Sequence, residues 1–173
     1  MKYLFFLLFT AYTSFFLTTN AQTKEGALRD AKLTAEATVK SDFETTLKYT
    51  PKAIVDLMGG KESALNMIEK SFQSMASQNI SIESVEILDV SDVVKEQDQF
   101  RCLVKGENRI KAPTQYAIST SYLLGIYDEN NNHWTFIEAD KIKNKAVMEQ
   151  IFPGFKTQFN IPENSMRYEA IKE

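Results

Sequence analysis

The sequence is poor in the residues that build disulfide scaffolds and metal sites. It has one cysteine, Cys102, and one histidine, His133, in 173 residues. A single cysteine excludes an intramolecular disulfide, and a single histidine excludes multi-histidine zinc sites such as the HExxH helix. The sequence also has no GxGxxG, GxxxxGK[ST] or GxSxG motif, so no dinucleotide-binding turn, phosphate-binding loop or nucleophile elbow is predicted. We therefore expect neither a metal nor a cofactor.

An excess of positive charge is also missing. The chain has 20 basic and 23 acidic residues, a net charge of −3. A nucleic-acid-binding protein needs lysine and arginine clustered on one face, so we expect no nucleic-acid partner. The composition is 43% hydrophobic and 12% aromatic. That content excludes a disordered chain, because enough apolar surface is present to form a core.

Residues 1–21 have the three parts of a secretory signal peptide. Lys2 provides a basic start, residues 3–17 are largely apolar, and the small residues Thr19 and Ala21 occupy positions −3 and −1 of a cleavage site. Polar residues interrupt the apolar run, which is shorter than the ~20 predominantly apolar residues that span a bilayer. The sequence therefore predicts cleavage after Ala21 rather than a membrane anchor.

Removal of this signal peptide leaves residues 22–173, the 152 residues of about one ordinary domain. The first mature residue is then Gln22 and not a cysteine, so no bacterial lipoprotein anchor is predicted. We expect a soluble periplasmic or extracellular protein that does not span the membrane.

The first half of the domain has the apolar spacing of helices. Over 24–48, apolar residues recur every four positions: Ala31, Ala35, Val39, Phe43 and Leu47. Thr50-Pro51 ends this helix, because the residue before proline is disfavoured in the helical region. A second helix over 61–78 has one apolar stripe: Leu65, Ile68, Phe72 and Met75. Between them, residues 52–58 form either a strand or a single helical turn.

The second half alternates with a period of two, as strands do. We predict strands over 80–90 (with a bulge), 100–110, 115–127 and 134–140, and a polar hairpin turn over 128–132. A short helix over 145–151 and an edge strand over 166–171 follow. Helices first and antiparallel strands after them indicate an α+β domain, in which the helices cover one face of the sheet.

This order of elements resembles the nuclear transport factor 2-like superfamily, which includes the SnoaL-like and ketosteroid-isomerase-like proteins. The resemblance covers 27–162 and depends on the long first helix, the break at Tyr49-Thr50-Pro51, Gly59-Gly60 after the short segment, the second helix and the long hairpin over 121–137. It implies a cystatin-like, cone-shaped fold, with a strongly bent antiparallel sheet packed on two or three N-terminal helices around an apolar cavity. Enzymes and non-enzymes share this fold, so it does not define the activity.

The resemblance implies that an enzymatic member has an acid–base residue in the cavity, helped by a tyrosine or a second acid. Asp56 lies on the short segment where such an acid would be placed, and Glu138 with Tyr122 is the alternative pair. Glu138 and Asp140 share a face with Trp134 by strand alternation. If that face lines the cavity, apolar neighbours raise the carboxyl pKa values, but we favour two solvated carboxylates because charged residues are rarely buried unpaired.

Four aromatic residues and one methionine are the candidate ligand-binding residues: Tyr116, Tyr122, Trp134, Phe136 and Met58. They form either a wall for a flat ligand or an ordinary sheet core. We predict that His133 is a solvated turn residue rather than a general base, since it follows three asparagines. Cys102 is predicted to be a small buried hydrophobe rather than a catalytic thiolate.

Three functional hypotheses follow from these patterns. The leading one is an exported non-catalytic domain that binds a small apolar ligand in a cone cavity. The second is a small isomerase- or dehydratase-like enzyme with a cavity carboxylate. The third is a protein-binding module, an envelope accessory factor or an inhibitor, and the sheet face is a candidate surface for a homodimer.

The predicted signal peptide leads to a direct measurement. Expression of the full chain with export intact is expected to yield a protein whose intact mass begins at Gln22, because the small residues at −3 and −1 direct cleavage after Ala21. Replacing Ala21 with a bulky residue (Ala21→Phe) should leave the leader attached. A wild-type exported protein whose mass includes residues 1–21 would contradict the assignment.

Overall fold

A computed structural model describes residues 22–171. The predicted signal peptide, 1–21, lies outside the described residues. Within 22–171 the chain forms five α-helices: α1 (Lys24–Val39), α2 (Phe43–Lys48), α3 (Lys52–Leu57), α4 (Lys61–Ser77) and α5 (Lys145–Ile151). It also forms six strands: β1 (Ser81–Val90), β2 (Val94–Glu96), β3 (Gln99–Lys111), β4 (Gln115–Asp128), β5 (His133–Glu138) and β6 (Ser165–Ala170). A 3₁₀ helix, Ala139–Lys143, follows β5. The predicted α+β class is confirmed.

The first helix is shorter than its hydrophobic pattern predicts. The expected helix over 24–48 is two helices, α1 and α2, because Ser41 adopts a φ of +56° and leaves the helical region. The carboxylate of Asp42 then caps α2 by accepting a hydrogen bond of 3.1 Å from the Thr45 N–H. The four-residue spacing of apolar residues continues across this break, so periodicity alone predicted one helix where there are two.

The remaining predicted elements match the structure with three differences. The strand predicted over 134–140 ends at Glu138, and its last two residues belong to the 3₁₀ helix. Residues 52–58 contain the helix α3, so the strand alternative is wrong. The strand β2 was not predicted; it pairs with the start of β3 through a tight turn at Gln97 and Asp98, both at positive φ. The bulge predicted in the first strand is confirmed, since its pairing with β3 shifts register between Ile82 and Ser84 and again after Ile87.

The six strands form one antiparallel sheet that is not closed. Its central order is β1-β3-β4-β5, while β2 pairs with β3 and β6 pairs with β4. Two strands, β6 and β5, pair with the same edge of β4: β6 with residues 115–120 and β5 with residues 123–128. Ser121 and Tyr122 therefore lie in a notch of the sheet between the two partner strands.

Each face of the sheet has its own apolar cluster. On one face α1 and Tyr49 pack against the sheet; the buried members are Ala27, Ala31, Tyr49, Val90, Cys102, Val104, Tyr127, Trp134 and Phe136. On the other face α5 covers the sheet, with Leu124, Ile126, Ile137, Met148 and Ile151. Gly125 allows close packing in the first cluster, because a β-carbon there would lie 2.7 Å from Cys102 Sγ.

The outer edge of β5 is held by groups from the helical half of the chain. The Trp134 N–H donates a hydrogen bond of 2.9 Å to Oδ2 of Asp30, and the Phe136 N–H donates one of 2.8 Å to the Tyr49 carbonyl. Asp30 is 1% exposed, and its other oxygen lies 2.9 Å from Arg29 Nε. This hydrogen bond to Asp30 raises the pKa of Arg29. Asp30 thus attaches α1 to an edge strand that would otherwise present free N–H groups.

A buried arginine holds the segment that follows α5. Arg101 is 2% exposed and donates hydrogen bonds to the Lys156 carbonyl (2.6 Å) and to Glu96 (3.2 Å). Its guanidinium lies 4.4 Å from the ring centroid of Phe155. Burial would raise the pKa of Glu96, but hydrogen bonds from the Gln158 N–H, Thr157 and Arg101 outweigh it and lower that pKa.

We expect Asp30→Ala to lower the free energy of unfolding by about 2 kcal/mol, because the buried backbone N–H of Trp134 loses the carboxylate that accepts its hydrogen bond. Urea unfolding followed by tryptophan fluorescence measures this change. Asp89→Ala is the control, since Asp89 is an exposed acid of the same kind paired with Lys24 at 3.8 Å; its effect should stay within about 0.5 kcal/mol. Equal effects of the two substitutions would contradict the assigned role of Asp30.

Candidate functional site

A cavity of about 770 Å³ lies between α1, the end of α2 and the sheet. Its position follows from side-chain size along α1. Ala27 and Ala31 let the first turns approach the part of the sheet that Trp134 and Phe136 fill. Farther along α1, the small residue Ala35 lies across from small polar residues of β3 and β4, so that region is not filled.

Most of the polar groups in the cavity wall are uncharged. Helical residues contribute Thr34, Thr38, Thr46 and Thr50, and the strands and the segment before β6 contribute Asn108, Ser119, Thr120, Ser121, Asn164 and Ser165. Two tyrosines, Tyr49 and Tyr122, and one acidic residue, Glu138, complete the list of polar residues that the described part of the chain contributes to the wall. The apolar part consists of Ala31, Ala35, Val85, Ile87, Leu123, Phe136 and Met166.

Two of the candidate acid–base residues reach this cavity. Glu138 and Tyr122 both line it, near the notch in the sheet. The Glu138 side chain is 67% exposed and forms an ion pair of 3.4 Å with Lys141. Tyr122 lies on β4 beside Leu123, the residue opposite Glu138.

The other two acids lie elsewhere. Asp56 is exposed on α3, where Lys52 forms an ion pair with it. Asp140 belongs to the 3₁₀ helix and contacts Lys143 at 3.3 Å. Neither residue is part of the cavity wall. The structure therefore brings Glu138 together with Tyr122 and keeps Asp56 and Asp140 apart from them.

The four aromatic candidates do not form one surface. Trp134 pairs with Tyr127 and Phe136 with Gly125, so both lie on the α1 face of the sheet. Tyr116 and Tyr122 alternate with Gly125 and Tyr127 along β4 and therefore lie on the opposite face. Of the four, Phe136 lines the cavity from the α1 face and Tyr122 borders it at the notch between β5 and β6, while Trp134 is fully buried in the core.

Tyr116 and the methionine candidate are placed away from the cavity. The guanidinium of Arg109 lies 3.8 Å from the Tyr116 ring centroid, so this ring is covered by a cation. Met58 follows the last residue of α3 and is not part of the cavity wall.

His133 is more constrained than a solvated turn residue. Its Nε2 lies 3.0 Å from the Lys48 carbonyl and its Nδ1 lies 3.2 Å from the Asn131 carbonyl. The ring packs edge-on against Tyr49 at 5.4 Å. His133 is half-buried at the first residue of β5, just after the turn, because tertiary folding brings the end of α2 against the hairpin.

Cys102 is buried, as predicted. It is 0% exposed in the cluster against α1, and burial raises the pKa of its thiol to about 12. The thiolate is the nucleophilic form, so this residue has no role as a nucleophile at neutral pH.

The hydroxyl groups of the cavity were not among the predicted site residues. Thr34 and Thr38 are four residues apart on α1, and Thr46 and Thr50 have the same spacing at α2. This spacing places Thr34 and Thr38 on one face of α1 and was a usable signal, and Thr50 continues the same spacing just past the end of α2. Ser119 and Ser121 alternate with bulky residues on β4 and are a second signal of the same kind.

Comparison with known proteins adds no identification. No protein-family model, no curated protein and no solved structure matches the chain. Among residues 22–171, no helix is long and apolar enough to cross a membrane. The same residues contain no group of three or more histidine, cysteine, aspartate or glutamate side chains placed to hold a metal ion.

We expect Cys102 to resist alkylation in the native protein at pH 8 because its thiol is buried and remains protonated. Iodoacetamide labelling, read by intact mass, should add no carbamidomethyl group in buffer and one in 6 M guanidinium chloride. Gly125→Ala, which crowds the sulfur, should increase native labelling by loosening this part of the core. Rapid labelling of the native wild type would contradict the placement of Cys102.

Proposed function

We propose that this chain is an exported, non-catalytic, cone-shaped domain of the nuclear transport factor 2-like type that binds a small molecule between α1 and the sheet. The observation that carries the proposal is the cavity of about 770 Å³. Its size is within the usual range of ligand-binding pockets, about 300–1,000 Å³. The signal-peptide pattern of residues 1–21 supports the exported location.

The wall composition favours binding over catalysis. General acid–base catalysis needs a titratable group held close to the reacting atoms in a site that excludes water. Glu138, the one carboxylate of the described wall, is largely exposed and already paired with Lys141. The other groups of the wall are hydroxyls, amides and apolar side chains, which bind a neutral molecule without transferring protons at neutral pH.

One observation favours the second candidate, an isomerase- or dehydratase-like enzyme. Glu138 and Tyr122 line the same cavity, so a carboxylate is available to a ligand bound beside Tyr122. Glu138→Gln separates the two functions, because it removes the base and keeps the shape. Ligand affinity unchanged by this substitution supports the binding domain, whereas a turnover that Glu138→Gln abolishes supports the enzyme.

Filling the cavity should weaken binding. We expect Ala35→Phe to weaken the binding of the neutral fluorescent probe N-phenyl-1-naphthylamine at least about tenfold, a loss of ~1.4 kcal/mol, because the new ring occupies the space beside α1. Fluorescence titration measures the dissociation constant, and circular dichroism verifies that the variant is folded.

Leu33→Phe is the matched control for this substitution. Leu33 is on the same helix but 41% exposed and outside the cavity wall, so the added ring stays in solvent. Its affinity for the probe should equal that of the wild type. Absence of saturable binding by the wild type, or equal affinity of the Ala35→Phe variant, would refute the proposed function.

A further inference from the structure

The helical wall of the cavity presents four hydroxyl groups whose protons are already used. Thr34 and Thr38 donate hydrogen bonds of 2.9 Å to the carbonyls of Asp30 and Thr34, four residues earlier on α1. Thr46 and Thr50 do the same at α2, at 3.0 and 3.1 Å. A hydroxyl has one proton to donate and two lone pairs to accept with. This side of the cavity therefore offers acceptors to a ligand.

The sheet wall has the opposite character. The side-chain amide of Asn108 donates to the hydroxyl oxygens of Ser119 at 3.4 Å and Ser121 at 3.2 Å. The two serine protons have no acceptor among the described residues. Reversing the Asn108 amide would only move the free donors from the serines to the Asn108 nitrogen. This wall offers donors in either orientation.

Between these two walls the cavity is apolar and lacks a buried charge. Ala35, Ile87, Leu123 and Phe136 line it, and its one carboxylate, Glu138, is at the exposed edge. An ionised ligand group placed among these residues would lose its hydration without gaining an opposite charge, which is costly. A neutral ligand with an apolar surface meets no such penalty.

We propose that the cavity selects an uncharged, largely apolar molecule with at least two hydroxyl groups, one donating to the threonines and one accepting from the β4 wall. A hydroxyl group satisfies both walls, since it both donates and accepts. This inference rests on the proposed function and adds the chemical class of its ligand.

Three compounds with one skeleton test this class. Adamantane-1,3-diol carries the two hydroxyls, 1,3-dimethyladamantane replaces them with methyl groups of similar size, and 3-hydroxyadamantane-1-carboxylate carries a charge. Each is titrated as a competitor of N-phenyl-1-naphthylamine. The diol is expected to compete, and the carboxylate is expected to bind at least about tenfold more weakly than the diol because its charge finds no partner.

The decisive variant removes hydroxyls from the helical wall and keeps their shape. In Thr34→Val/Thr38→Val the diol should bind about fivefold more weakly, as expected for the loss of one neutral hydrogen bond, while the affinity of the dimethyl compound does not fall. Ser71→Ala is the control, because Ser71 makes the same hydrogen bond to the carbonyl four residues earlier on exposed α4. Thermal unfolding verifies that each variant is folded.

The outcomes separate the ligand class from the function. The proposed ligand class is wrong, although the cavity binds, if the double variant reduces the affinities of the diol and the dimethyl compound equally or reduces neither. It is also wrong if the carboxylate competes as well as the diol. If neither the fluorescent probe nor any adamantane binds the wild type, the proposed function itself fails. Methyl β-glucopyranoside tests whether the hydroxylated ligand is a sugar or a hydrocarbon. If the glucoside displaces the fluorescent probe from the wild type and does so less well from the double variant, the ligand is a sugar. If only the diol displaces the probe, the ligand is a hydroxylated hydrocarbon.

Discussion

The hydrogen bond between the buried carboxylate of Asp30 and the Trp134 N–H is the constraint on which the rest of the structure depends. It joins two segments separated by 104 positions and fixes α1 against the outer edge of the sheet. Burying a carboxylate is costly unless it is paired and hydrogen-bonded, and here Arg29 and the strand N–H meet that requirement. The position of α1, and with it the existence of a space beneath α1, follows from this contact.

The position of α1 over the sheet accounts for both the packed core and the cavity. Where α1 begins, the face of the sheet carries Trp134 and Phe136, which fill the space down to the alanines of the helix. One or two turns later the sheet carries Asn108, Ser119 and Ser121, which are too small to fill it. Side-chain volume on β3 and β4 thus decides where the cavity lies.

The sequence predicted most elements because hydrophobic periodicity reports burial directly. It missed the break at Ser41 because a helix-to-helix kink conserves the four-residue spacing of Ala31 to Leu47. It grouped Tyr122 with Trp134, since alternation within one strand does not reveal the register between two strands. The acids were ambiguous for the same reason: Asp56 and Glu138 are comparable in sequence, and only Glu138 lies in the wall of the cavity.

The sequence by itself determined the α+β class, the order of elements and the scarcity of cysteine and histidine, since these depend on composition and local spacing. Tertiary structure alone decided which residues meet. The burial of Asp30, the contact between His133 and α2, and the facing threonine and serine walls all join segments far apart in the chain. Such meetings depend on strand register and helix position, which are set by packing over the whole domain and not by any local run of residues.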